Sequence, residues 1–382
     1  MQGALKSSVR LLHTARTIIF SNYGAPKEVL QVLKHKLPEP GLGEATLKLI
    51  AAPINPSDIN QIEGTYASKP EFSKRFGSSD AVAVPGNEGV FEVIGLGESQ
   101  TGIDRERNSK DVLNTSLNTL EVGDWVIPKK ASFGTWTTFK NAKISDLISL
   151  GKPNGLTPLQ AATIAVNPLT AYRMLKDFAE LEKGDWFIQN GSNSGVGRMA
   201  IQLAKLWGIK SINVVRDRRD IDELKQELHD LGADHVLTEE QVADRSSKTV
   251  ISDWTNGAMC KLALNCVGGR SSTNIAKQLT DQGVIVTYGG MSKQPVGIPT
   301  SLYIFKDIHS RGFWVTKWKN NNPEEFEQMI QKVASMFRAK ELEVTAINTV
   351  EFQNLENAPS EEFLSLFKSS NAKSVKYVIV AN

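Results

Sequence analysis

The stretch WFIQNGSNSGVGRMA, Trp186 to Ala200, constrains this chain more than any other, because it dictates a strand, a tight turn and a helix in that order. The apolar run WFI leads into a turn holding Gly191, Gly195 and Gly197, and RMAIQLAKLW then carries apolar side chains at helical spacing. Such a turn brings backbone close to a pyrophosphate and aims unpaired helix-start amides at it, where the macrodipole favours an anion. The spacing Gly-x-x-x-Gly-x-Gly departs from the strict G-x-G-x-x-G fingerprint, and a glycine turn that merely starts a helix is the plain alternative. Context decides. About 25 residues beyond Gly191, where an NAD site usually places an acid for the ribose hydroxyl, the next strand ends in Arg216, Asp217, Arg218 and Arg219. Guanidinium groups there suit a 2′-phosphate, so the pattern reads as NADP(H), against a solvated cationic loop as the other reading.

From Asp185 onward the runs WFIQN, SINVV, DHVLT, LALNCV and GVIVTYGG each follow a helical or polar segment. That alternation predicts an α/β fold with a doubly wound parallel sheet. GFWV, Gly312 to Val315, is the expected sixth strand, and Glu324 to Arg338 reads as a helix. From about Ile18 to Leu150 the chain instead shows short runs (ATLKLIAAPI, GVFEVIGLG, GDWVIPKK) broken by Gly, Pro and Asn, which predicts a β-rich domain. Within it, Glu98 to Asn118 is polar and reads as a surface loop or insertion. LTPLQAATIAVNPLTAYRMLKDFAEL forms a helical linker, and AINTVEF and KSVKYVIV return to strand character. The resulting expectation is a Rossmann cofactor domain, residues 156–316, inserted in a β-rich catalytic domain made of residues 18–155 and 317–382.

Composition narrows the function classes. With 44 Lys+Arg against 42 Asp+Glu there is no global field to recruit nucleic acid, and no apolar stretch approaches the roughly 18 residues of a membrane span. Two cysteines, Cys260 and Cys266, are too few for a disulfide framework and lack the paired spacing of a zinc site. Cys266 sits in an apolar run and reads as a buried structural thiol. The first residues hold Lys6, Arg10 and Arg16 among serines, threonines and leucines, with no acid before Glu28. This is the composition of a mitochondrial transit peptide, taken as residues 1–17, with a ragged basic terminus as the alternative.

The loop-forming segment PINPSDINQIEGTYASK, Pro53 to Lys69, contains an isolated tyrosine, Tyr66. A phenol can donate a proton or a hydrogen bond to a developing anion, although a lone tyrosine is more often packing or surface. Tyr66-x-x-Lys69 misses the Tyr-x-x-x-Lys pair of short-chain dehydrogenases by one residue and precedes the glycine turn instead of following it.

INPSDINQ, PGNEGVFEV, GDWVIP, NPLTAYRML, FIQNGSNSGVG, VVRDRRD, LALNCVGG, VTYGGMS and FWVT, in that order, resemble the medium-chain dehydrogenase/reductase superfamily. More narrowly, they resemble its zinc-free mitochondrial trans-2-enoyl-thioester (enoyl-acyl carrier protein) reductases. Where zinc-dependent members have Gly-His-Glu, this chain has Gly86, Asn87 and Glu88, and no cysteine precedes Cys260, so no metal is expected. The resemblance implies a GroES-like catalytic domain, with Tyr66 as catalytic residue. It also implies cofactor contacts at Asn167, at the turn Asn193, Ser194, Gly195 and Val196, and at a 2′-phosphate clamp of Arg216, Asp217 and Arg218. Further contacts follow at Tyr288, Gly289, Gly290 and Met291, at Phe313, Trp314, Val315 and Thr316, and at Lys376. Without the resemblance, GFWV would be edge packing and Lys376 a solvated strand charge.

The activity implied is NADPH-dependent reduction of trans-2-enoyl thioesters in mitochondrial fatty acid synthesis. Hydride goes to the β-carbon, and Tyr66 serves as acid or oxyanion donor. The implied partners are an enoyl-loaded acyl carrier protein, with acyl-CoA as surrogate, and a second copy of the chain in a homodimer in the mitochondrial matrix. Carrier proteins are acidic, so Lys69, Lys74, Arg75, Arg311, Lys317 and Lys319 are candidates for a docking rim, or else dispersed solubilising charge. A zinc-free NADPH:quinone reductase and a non-catalytic NADPH-binding regulatory protein are the competing readings.

Overall fold

The computed structural model describes residues 13–97, 120–352, 363 and 376–381. The first part of the predicted transit peptide and the polar segment Glu98 to Asn118 lie outside these residues. Contacts divide the chain into two units, Met1–Thr163 with Ile347–Asn382, and Ile164–Ala346.

In the first unit, β1 (Thr14–Ile19) and β2 (Gln31–Lys36) pair antiparallel, with the short α1 (Pro26–Val29) between them. β1 begins inside the segment taken above as transit peptide: Ala15 and Thr17 are buried, and the Thr17 hydroxyl meets those of Thr137 (2.7 Å) and the ring of His35 (3.0 Å). The β-branched, buried run Thr17, Ile18 and Ile19 stabilises a strand here in spite of the basic composition. β3 (Glu44–Ile54) is the long central strand, flanked through its length by later ones, and α2 (Pro56–Ile62) follows it directly. β4 (Val90–Leu96), β5 (Trp125–Pro128), β6 (Phe139–Lys143), β7 (Leu147–Gly151) and α3 (Pro158–Thr163) complete the first passage. Alternation in β3 puts Ala45, Leu47 and Leu49 into a core with Phe20, Phe91, Val93, Trp136 and Ile379, and past a register shift between Leu49 and Ala51 it is Ala52 that joins them.

The second unit opens with α4 (Asn167–Asp177) and β8 (Trp186–Asn190), then α5 (Gly195–Trp207), β9 (Lys210–Val215), α6 (Ile221–Leu231) and β10 (His235–Thr238). It continues through α7 (Glu239–Ala243), α8 (Ser247–Trp254), β11 (Cys260–Asn265), α9 (Gly269–Ala276) and β12 (Leu279–Thr287). α10 (Thr300–Lys306), β13 (His309–Gly312), α11 (Val315–Asn321) and α12 (Pro323–Arg338) close it. The six strands form one parallel sheet in the order β10-β9-β8-β11-β12-β13, the doubly wound arrangement predicted above.

Two local expectations shift. The sixth strand is His309–Gly312, not Gly312 to Val315: Gly312 pairs Thr287 at the end of β12, Phe313 makes one more bond to Thr287, and Val315 already starts α11. All four β13 residues are exposed, so the strand carries no apolar signature that sequence could display. Residues 317–346, expected with the β-rich domain, fall in the second unit. α12 buries Phe326, Met329, Ile330, Val333 and Phe337, and Glu325 pairs with Arg173 of α4, whose guanidinium lies 4.7 Å from the Trp318 ring.

The chain then returns to the first sheet. β14 (Ile347–Glu351) pairs in parallel with β15 (Lys376–Val380), and β15 pairs antiparallel with β3, giving the order β14-β15-β3-β4-β5-β7 with β6 also on β3. The dinucleotide-type unit is therefore inserted between two parts of the β-rich one.

Candidate active site

In the second unit, strand order reverses between β8 and β11, and the residues at the carboxyl ends of these strands are tied together by buried amides. Asn190 Nδ2 donates to Asn265 Oδ1 (2.8 Å) and Ser271 Oγ (3.1 Å), while Asn190 Oδ1 accepts from the Cys266 amide (2.8 Å). Asn265 Oδ1 also accepts from the amides of Val267 and Gly268. Each such bond contributes about 1 kcal/mol, but orphaning a buried partner costs about 1–3 kcal/mol, so these asparagines fix the strand ends more firmly than apolar substitutes could. Asn190 and Asn265 escaped the sequence reading. Their signal is a polar residue closing an otherwise apolar strand.

The turn itself is set by steric demands. Gly191 has φ +59, and a Cβ on it would meet Cys266 Sγ at 2.4 Å. A Cβ on Gly197 would lie 2.4 Å from the backbone oxygen of Ser192, so helix and turn approach each other at van der Waals limit. Ser194 caps α5 by accepting from the Gly197 amide (3.2 Å). Among the described residues this leaves the amides of Gly195 and Val196 without an acceptor at the positive end of the helix. Behind the turn, the buried Arg198 donates to Asn193 O (3.1 Å) and makes a bidentate pair with Glu227 (2.7 and 2.9 Å).

The other residues predicted for this site gather at the same edge. Asn167, the first residue of α4, packs its amide against Gly195, where a Cβ would sit 2.2 Å from Asn167 Nδ2. Arg216 and Asp217 are exposed and Arg218 half-buried just past β9, the neighbour of β8, and among the described residues neither arginine has an ion-pair partner. Tyr288, Gly289, Gly290 and Met291 follow β12 and fold back, with Met291 N bonded to Cys266 O (2.9 Å). The Tyr288 hydroxyl is buried beside the Cys266 thiol and the Ser194 hydroxyl; burial above all raises its pKa well above the phenol range, so it is a neutral group. Burial likewise pushes the Cys266 thiol up to about 11, which makes it inert. Phe313, Trp314, Val315 and Thr316 follow β13, with Phe313 edge-on to Phe178.

An NADP(H) molecule fits this arrangement: free helix-start amides and a close-packed glycine turn for the pyrophosphate, and unpaired guanidinium groups at the adjoining strand end for a 2′-phosphate.

Tyr66 and Lys376 belong to the first unit. Tyr66, half-buried, lies in the loop after α2, its amide bonded to Asn60 O (3.1 Å). Lys376 opens β15 with its ammonium buried 3.9 Å from Glu88 Oε2. Burial lowers its pKa, while Glu88 and Asp58 pull the other way. Around them runs a polar cluster that joins the buried Asn55, Asp58, Gln61 and Glu88 to the half-buried Asn87 and Ser132. Burial raises Asp58 to about 6, against three hydrogen bonds that lower it. Of the proposed rim cations, Lys319 is buried with its ammonium over Phe326 (5.3 Å) and is no rim residue; Lys69 sits over Tyr23 (5.1 Å). The sequence reading also passed over Lys140. Its buried ammonium donates to Phe133 O and Gly134 O (3.4 Å), and burial lowers it to about 7.

The zinc-binding dehydrogenase family matches residues 195–335. A mitochondrial enoyl-[acyl-carrier-protein] reductase of Yarrowia lipolytica is 43% identical over 364 residues, 95% of this chain and 90% of that protein. A solved Etr1p complex with NADP and crotonyl-CoA superposes with a TM-score of 0.86 at 41% identity, covering 97% of this chain and all of the other. An Etr1p/Etr2p heterodimer from Candida tropicalis gives 0.85 at 41% identity over the same shares. A putative NADPH:quinone reductase from Bacillus thuringiensis reaches 0.76 at 22% identity and shares the fold. Zinc, which the family description names, does not fit here. Among the described residues no cluster of three potential ligands exists, and the carboxylate of Glu88 already faces the Lys376 ammonium.

Proposed function

The chain belongs to the mitochondrial enoyl-[acyl-carrier-protein] reductases, and we propose that it reduces trans-2-enoyl thioesters with NADPH. The observation that carries the cofactor half is that, among the described residues, the amides of Gly195 and Val196 have no acceptor and Arg216 and Arg218 at the next strand end have no ion-pair partner. NADPH, when bound, supplies the hydride that adds to the β-carbon of the enoyl group. The turn amides would hold its pyrophosphate, Arg216 and Arg218 its 2′-phosphate, and Asn167 and Tyr288 would line the site as neutral donors. As charge builds on the thioester carbonyl and α-carbon, Tyr66 either stabilises the enolate oxygen with a hydrogen bond or delivers its proton to the α-carbon; protonation of the α-carbon, from Tyr66 or from solvent, completes reduction of the carbon–carbon double bond. The unit Ile164–Ala346 serves as cofactor domain and the β-rich unit as catalytic domain.

The enzyme works in mitochondria, its substrate delivered as the thioester of an acidic acyl carrier protein in the matrix. Processing of the presequence would lie at or before His13, which keeps β1 whole. No helix among the described residues is long and apolar enough to cross a membrane. A homodimer is supported by the open edge strand β13 and by α10 beside it, where Ile304 and Phe305 are 67% and 79% exposed.

The test is NADPH oxidation with crotonyl-CoA by wild type and Tyr66→Phe. The variant is expected to lose about 100-fold or more in kcat with NADPH affinity unchanged. Undiminished turnover would remove Tyr66 from the mechanism. A quinone reduced faster than the thioester, or no turnover of either, would favour the two rival readings.

A further inference from the structure

Tyr66 sits in a loop that α2 grips on both sides. Asn60 O accepts from the amides of Thr65 (2.8 Å) and Tyr66 (3.1 Å), and on the far side Ser68 O accepts from Gln61 Nε2 (2.8 Å). The second Gln61 donor goes to Ser132 Oγ (3.0 Å), and Gln61 Oε1 accepts from Asn87 Nδ2 (2.7 Å). Asn87 Nδ2 also donates to Asp58 Oδ1 (2.6 Å), and Asn87 Oδ1 accepts from the Ser132 amide (2.7 Å). Both N–H donors of each side-chain amide are used, and each amide oxygen accepts one bond.

The polarity of this chain of bonds is fixed by groups of invariant character: the carboxylate of Asp58 at one end, the Ser132 amide beside Asn87, and the Ser68 carbonyl at the other end. An ionised Asp58 only accepts; its oxygens take the amides of Asn55 (2.8 Å) and Asn87 (3.0 Å) as well as Asn87 Nδ2. Asn87 must therefore present its NH₂ to Asp58, which turns its Oδ1 to Ser132 and leaves one N–H for Gln61 Oε1. Gln61 is thereby forced to aim its own NH₂ at Ser68 O. Turned the other way, Gln61 would set two donors face to face and two acceptors face to face in a buried site.

We propose that Gln61 is a positioning residue for Tyr66, its orientation held from one side by Asp58 through Asn87 and from the other by the Ser68 carbonyl. This rests on the assignment of Tyr66 as acid or oxyanion donor. In the family's zinc-dependent pattern the middle residue of Gly-His-Glu is a potential ligand; here Asn87 in that place is the middle link of the relay.

The experiment is a cycle of wild type, Gln61→Met, Tyr66→Phe and the double variant, assayed with crotonyl-CoA and NADPH. Gln61→Met is expected to lower kcat about tenfold while the NADPH dissociation constant stays within twofold, since Gln61 lies outside the cofactor unit. In the Tyr66→Phe background the same change should cost nothing further. An unchanged kcat in Gln61→Met, or an equal loss with and without the Tyr66 hydroxyl, overturns the proposal while leaving Tyr66 in place. A Tyr66→Phe variant with wild-type turnover removes Tyr66 and the proposal together. Should Gln61→Met fail to fold, Gln61→Asn keeps the amide but is too short to span Asn87 and Ser68, and it carries the same expectations.

Discussion

The nucleotide turn and the polar cluster around α2 are both buried polar assemblies, yet the chain makes them by opposite means. The turn is contiguous: residues 190–198 supply strand end, glycines, cap and the arginine behind it, and the groups proposed to face the cofactor are backbone amides. The α2 cluster draws side chains from 55, 58, 61, 87, 88, 132 and 376, and its function resides in which amide end points where. A site made of backbone tolerates side-chain change except where a Cβ intrudes. A site made of side-chain amides fails when any one link is reversed.

Substitutions in the two regions sharpen that contrast. The largest effect is expected for Gly197→Ala, whose new Cβ would press on the Ser192 carbonyl at 2.4 Å. Pushing turn from helix should weaken NADPH binding by about 100-fold, the upper end of an overpacking penalty of about 1–3 kcal/mol. Titration of cofactor fluorescence measures it, and unaltered affinity would mean that the turn's close packing is irrelevant to the ligand.

Removing both Arg216 and Arg218 as alanines comes next. Loss of charge-assisted bonds to a 2′-phosphate should raise the Michaelis constant for NADPH by about 30-fold and leave that for NADH within about twofold. Equal losses for both cofactors would show that the arginines support the fold and not the phosphate.

The smallest effect belongs to Lys140 in the β-rich unit. Its folded pKa near 7 lies below the ordinary lysine value, so between about pH 7 and pH 10 the unfolded chain binds a proton that the folded chain does not. Stability from this group therefore rises with pH through that window and is lost as pH falls through 7. The wild-type Tm is expected to gain a few °C between pH 7 and pH 9 relative to Lys140→Met, by roughly 2–4 °C per kcal/mol. Parallel pH profiles for the two proteins would contradict it.

The same contrast explains what sequence alone could display. The parallel sheet and the glycine turn were legible because apolar period and local spacing encode them. The strand His309–Gly312 was not, because an exposed edge strand has no hydrophobic face, and the start of β1 at Thr14 lay hidden behind the basic composition of the residues around it. Asp58 and Gln61 stood in plain view in INPSDINQ, but their partners Asn87 and Ser132 arrive from distant segments, and spacing along a chain carries no record of such meetings. Tyr66 entered through family resemblance, since a lone loop tyrosine has no local signature.

β13 leaves a row of backbone donors and acceptors open at one margin of the parallel sheet. Where two copies of the chain cover that margin, the solitary protomer is the species prone to recruit stray extended segments. Its abundance is then governed by mass action, so dilution would erode the protein as surely as warming, and apparent stability becomes a property of concentration as well as of sequence.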